Sequence, residues 1–202
     1  MNEKFFDVKK EKQDRMINAS LKVFALNGYI HASTDDIVRE AGVSKGLLFH
    51  YFVSKIGLYT FLYDYAKRFL SLEVSTRVNK KETDAFVLME QLKDAEVAAM
   101  QQYPYIQLFL KRAENETCLE ALEAVSDSKS GYHEMYESIM RNQDVTRFVA
   151  GADYVKVEKM LNSVMDNILP EYLNEDSFNP SRYLNEVNKY IDMMRELCYY
   201  SE

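Results

Sequence analysis

Apolar residues recur at helical spacing along most of the chain, and few windows alternate in the manner of a strand. Met16, Ile17, Leu21 and Phe24 mark one face of a first helix, from about Val8 to Asn27. Gly28 follows, in the place of a left-handed C-terminal cap. A second helix starts after Ser33-Thr34, either of whose hydroxyls can cap it. Asp35 and Asp36 favour its positive end. It turns Ile37, Val38 and Ala41 inward and stops at Gly42 after about two turns. A third helix, capped by Ser44, runs from Lys45 to about Tyr51, and Ser54 caps a long fourth. Two helices of about two turns each, joined by Gly42-Val43-Ser44, have the proportions of a helix-turn-helix.

Beyond Val78 the pattern continues in longer helical stretches. One reaches Tyr103 and ends before Pro104; a short one covers "PYIQLFLKRAEN". The stretch from Cys118 to Asn142 is helical, with a weak point at Ser130-Gly131. Two more helices close the chain, about Asp153–Tyr172 and Ser181–Tyr200. The pattern predicts an all-α fold of about nine helices: a small head, 1–56, and a larger helical body, 57–202.

Only three prolines and six glycines occur in 202 residues, which agrees with a helical chain. The net charge of −7 is unevenly spread. The first 56 residues hold nine Lys/Arg against seven Asp/Glu, and the remainder holds sixteen against twenty-five. A basic head on an acidic body fits a head that meets a polyanion. The two cysteines are far apart and form no CxxC pattern, which suits reduced thiols. The charge-free run Val97–Leu110 is too short for a bilayer, and the N-terminus has no apolar signal core. The expectation is a soluble, cytoplasmic protein with no membrane contact.

The stretch "AGVSKGLLFHYFVSK" carries the chemistry. A recognition helix touches base edges of the major groove with its N-terminal residues. Lys45 stands at that end, within reach of phosphate or guanine. Gly46 lets the backbone approach closely, and Leu47 offers an apolar contact to a thymine methyl. His50, about one turn on, can donate to phosphate, as can Lys55 at the next helix start. Ser44 and Thr34 cap helix ends whose N–H groups can face phosphates. Tyr51 is divided between packing and phosphate contact; Leu48 and Phe52 are core, packed on Ile17, Leu21 and Phe24.

Residues from about Arg15 to Leu62 resemble the DNA-binding head of TetR-family transcriptional regulators. Phe24 and Gly28, Thr34 and Ile37, the quoted stretch and Leu58 carry the likeness. It implies DNA contacts at Thr34, Ser44, Lys45, Gly46, Leu47, His50, Tyr51 and Lys55. The chain departs from the family where hydroxyl residues are common, at Leu47 and Phe49, and where an acid is common, at Gly57. The resemblance further implies a homodimer joined through the last two helices, a palindromic operator in double-stranded DNA, and release by a small-molecule effector. The stripes Leu161, Val164, Met165, Ile168 and Leu184, Val187, Ile191, Met194, Leu197 fit such helices.

Tyr103, Tyr105, Phe109, Tyr132, His133, Met135, Tyr136 and Met140 make the middle helices aromatic and Met-rich, as effector pockets and plain cores both are. HExxH, GxxxxGK[ST], GxSxG and Cys/His metal spacings are absent from the sequence. The reading is therefore a non-enzymatic regulator, in all expectation a repressor, that needs no cofactor or metal. A helical ligand carrier or protein-interaction module without specific DNA binding is the alternative.

Overall fold

The computed structural model describes residues 3–126, 130–141, 143–174 and 178–200. Its described residues form ten α-helices: α1 (Lys10–His31), α2 (Thr34–Ala41), α3 (Lys45–Phe52), α4 (Lys55–Arg77), α5 (Ala85–Gln102), α6 (Ile106–Glu114), α7 (Leu119–Val125), α8 (Ser130–Met140), α9 (Tyr154–Leu173) and α10 (Pro180–Cys198). The tenth arises where one helix was expected between Cys118 and Asn142. α7 ends at Val125 and α8 begins at Ser130, with residues 127–129 outside the described residues. The side chains of Tyr132 and His133 lie outside the described residues.

The helices divide between two units. Residues 1–69 and 102–132 form the first, so the expected head shares a core with the start of α4, α6 and α7. Its centre is an aromatic cluster: Tyr59 meets Phe24, Tyr29 and Phe109 edge-on at 5.1, 5.2 and 5.5 Å between ring centroids. Residues 70–101 and 133–202 form the second unit. There α9 and α10 bury Leu161, Met165, Val187 and Ile191. The Asp84 carboxylate caps α5 by accepting from the Phe86 and Val87 N–H groups, and it also holds Arg147 and the Tyr199 hydroxyl.

Helix ends follow their cap chemistry. Ser33 Oγ accepts from Asp35 N–H, Ser44 Oγ from Leu47 N–H and Ser54 Oγ from Gly57 N–H. Gly42 sits in the left-handed region, its N–H bonded to Val38 and Arg39 carbonyls. Gly28 interrupts α1 where the pattern places a stop. Its φ of 68° is positive but its ψ is 178°, so it breaks the helix without the usual left-handed cap, and one more helical turn follows to His31. Only glycine takes up that combination freely.

The link from α3 to α4 is the strained point of the backbone. Val53 has φ 66° and ψ −47°, and the Ser54 N–H bonds the Phe52 carbonyl at 2.7 Å. This is a positive-φ γ-turn centred on a β-branched residue, a rare and costly conformation. The Phe52 carbonyl is thereby turned against Gly57, where an added Cβ would run into its oxygen. A side chain such as the acid common in the family is thus excluded at Gly57 by close approach, and Ser54 Oγ caps the start of α4. Replacing Val53 by glycine relieves the turn and is expected to raise unfolding stability by about 1 kcal/mol. Gly57→Ala is expected to lower it by about 1–3 kcal/mol; urea denaturation of both variants measures the two changes.

Candidate nucleic-acid interface

An eight-residue helix is displayed by what it buries. In α3, Leu48 and Phe52 are 0% and 1% exposed, as the pattern predicts. The partners differ in part from the expected ones. The Phe52 ring lies 4.9 Å from Phe5 and 5.0 Å from Phe61, whereas Phe24 joins the Tyr29, Tyr59 and Phe109 cluster. Phe5 belongs to an N-terminal 3-10 turn, Glu3–Asp7, and is fully buried. Reading the sequence missed it; two adjacent phenylalanines in an otherwise polar N-terminus are the signal that could have found it.

On the opposite side of α3, Ser44, Lys45, Gly46 and His50 are exposed and Leu47 is half-buried. Thr34 opens α2 beside them in the chain, also half-buried. A Cβ placed on Gly46 would meet nothing within 4 Å, so packing does not require a glycine there. The Tyr51 ring meets Phe5 at 5.6 Å and His50 at 5.0 Å, and the residue stays half-buried. His31, at the end of α1, is exposed.

Two acids that would repel phosphate are occupied. Asp35 pairs with Lys45 at 2.8 Å, and Asp36 pairs with Arg39. The Lys45 pair is exposed on both sides, so it is worth little in water and is easily exchanged for a phosphate. Lys55 is placed differently. Its ammonium donates to the Ile30 carbonyl at 3.1 Å and lies 4.7 Å from the Tyr29 ring centre. Partial burial depresses its pKa, against the opposing pull of Cys118, Glu120 and Glu116. Lys55 therefore ties the end of α1 to the start of α4 while its charge stays near the head.

Polar contacts also fix α1 from below. Tyr103, fully buried, donates to Asp14 at 2.6 Å and meets the Tyr65 hydroxyl at 2.8 Å. Lys10 pairs with the same carboxylate at 2.8 Å. Burial alone would raise the Asp14 pKa; the hydrogen bonds from Lys10 and Tyr103 outweigh it and hold the carboxyl below its ordinary range. Burial, and then its bond to that carboxylate, keeps the Tyr103 phenol protonated. At the other end of α1, Glu116 accepts from the Tyr29 N–H at 2.8 Å and from the Thr117 and Cys118 N–H groups.

Among the described residues, no group of three or more His, Cys, Asp or Glu is placed to hold a metal. No helix among them is long and apolar enough to cross a membrane. Cys118 and Cys198 are free thiols.

Residues 16–60 match the model of bacterial regulatory proteins of the tetR family. No curated protein matches the chain. Among solved structures, a TetR family transcriptional regulator from Chloroflexus aurantiacus is similar over 99% of both chains, with a TM-score of 0.61 and 20% identity. The TetR family regulator PfmR from Thermus thermophilus matches 89% of this chain and 96% of its own, with TM-score 0.61 and 18% identity. The transcriptional regulator FadR from Bacillus subtilis, solved in complex with stearoyl-CoA, covers the same shares with TM-score 0.58 and 16% identity. Residues 16–60 thus match the model of the tetR family, in a chain whose all-helical fold is similar to that of these solved regulators.

Proposed function

We propose that the protein is a ligand-responsive transcriptional repressor that binds a palindromic operator as a homodimer. The observation that carries this reading is the division of α3. Leu48 and Phe52 anchor it, and Ser44, Lys45, Gly46 and His50 stand exposed with no unpaired acid among them. Residues 1–56 read DNA in this account, and residues 57–202 sense the effector and dimerise. Lys45 leaves Asp35 for a phosphate or guanine, Gly46 lets the backbone come close, and Leu47 meets a base methyl. Thr34 and Ser44 direct helix N-termini at phosphates, and Lys55, Tyr51 and His50 line the flank.

The last two helices support a dimer. α9 and α10 spend Leu161, Met165, Val187 and Ile191 on their own core, yet leave Met160, Met193 and Leu197 exposed. Such residues suit a two-fold interface that sets two heads on half-sites about one helical turn apart, or a multiple of it. An effector site in the body is supported by a cavity of about 270 Å³ in the second unit, where Val74, Val78, Leu88, Met135 and Ile139 alternate with polar groups that include Asn79, Lys80 and Glu82. The ligand held by the B. subtilis FadR structure supports it too. Effector binding would shift the population toward a head spacing that fits the operator poorly.

Mobility shift with DNA from around the protein's own gene tests the reading; sequence-selective, salt-sensitive binding is expected. Binding of a partner protein that is indifferent to competing DNA would instead favour an interaction module. Lys45→Ala should weaken operator binding about tenfold or more and flatten the salt slope by about one. Asp35→Asn, which frees Lys45 and removes a charge facing DNA, should strengthen it. Lys55→Ala should lower thermal stability as well as affinity, because Lys55 joins α1 to α4. Gly46→Ala separates fold from function: it should raise stability by about 0.5–1 kcal/mol while weakening binding. Unchanged operator affinity in Gly46→Ala would remove Gly46 from the interface.

A further inference from the structure

The first unit contains an open groove of about 590 Å³ that the regulatory reading does not use. It runs along α4 from the Val53 turn past Gly57 to Arg68. Its walls are aromatic: Phe61 lies 5.0 Å from Phe52, 6.1 Å from Phe6 and 5.7 Å from Tyr65, by ring centroids. Gly57 contributes no side chain, so the end of the groove nearest the turn stays unfilled.

The polar groups along the groove are nearly all committed. Ser54 Oγ caps α4, Thr60 Oγ1 donates back to the Ile56 carbonyl, and the Tyr65 hydroxyl is bonded to Tyr103. Two charges remain. Arg68 is exposed to solvent. Asp64 is half-buried, and among the described residues it accepts no hydrogen bond and meets no cation within ion-pair distance. A carboxylate partly withdrawn from water beside aromatic faces is the group here that gains most from an opposite charge. Aromatic rings add their own attraction for a cation.

We propose that this groove binds an amphipathic organic cation. Its ammonium group sits at Asp64 against Phe61 and Tyr65, and its apolar part lies toward Phe6, Phe52 and Gly57. Seven residues of α4 separate Asp64 from Gly57, a span of about 10 Å at 1.5 Å per residue. That length matches a chain of about eight carbons. The site is separate from the cavity in the second unit, because its lining residues all belong to the first.

The chain has no tryptophan, so Phe6→Trp places a lone reporter in the groove wall. Titration with octyltrimethylammonium is expected to change its emission saturably. Asp64→Asn in the same background should weaken the response at least tenfold while leaving the melting curve in place, and octanoate should compete poorly. Octanoate binding as tightly as the cation would overturn the proposal, as would an unchanged affinity in Asp64→Asn. Calorimetric binding to the wild-type protein without any emission change at position 6 would place the cation elsewhere and overturn it too. The measurement contains no DNA, so its outcome is independent of the regulatory function.

Discussion

An eight-residue helix has almost no stability of its own in water. The whole outward face of α3 depends on the burial of Phe52 between Phe5 and Phe61, with Leu48 beside it. That contact sets both the direction in which Lys45, Gly46 and His50 stand and the place where the chain must turn into α4. The tight turn at Val53 follows from it. Phe52 has to end α3 in the core while α4 begins at once, and two residues are left to reverse the backbone. The groove below is bounded by the same rings, so one aromatic cluster shapes both faces of this region.

The rest of the first unit holds α1 at its two ends by unlike means. Near its start a buried phenol and a lysine share the Asp14 carboxylate; near its finish Glu116 gathers backbone N–H groups and Lys55 reaches the Ile30 carbonyl. These are directional contacts across long sequence separations. They fix the rotation of α1 in a way that interchangeable apolar side chains do not.

Much of this was legible in the chain. The helical period, the serine caps at 33, 44 and 54, and the left-handed glycine at 42 are local signals, and local chemistry decided them. The outward set on α3 followed from the same periodicity. What could not be read depended on neighbours distant in sequence. Gly28 looked like a stop and does break the helix, but the further turn to His31, with the Tyr29 N–H given to the distant Glu116 carboxylate, was not legible. Phe5 looked like part of a polar tail. Lys55 looked only like a phosphate contact, and its ties to the ring of Tyr29 and the carbonyl of Ile30 were not legible. Gly57 looked only like a departure from the family, and it is the one residue that the Phe52 carbonyl tolerates.

The pairing of Val53 with Gly57 also bears on how separable the head is. An interchangeable head would need a neutral joint at the start of the fourth helix. Here the joint is a matched pair of positions, one holding an unusual backbone conformation and the other making room for the carbonyl it displaces. A hybrid made by exchanging heads between relatives would cut between them if the seam fell at residues 54–56. A seam after residue 57 keeps turn and glycine together.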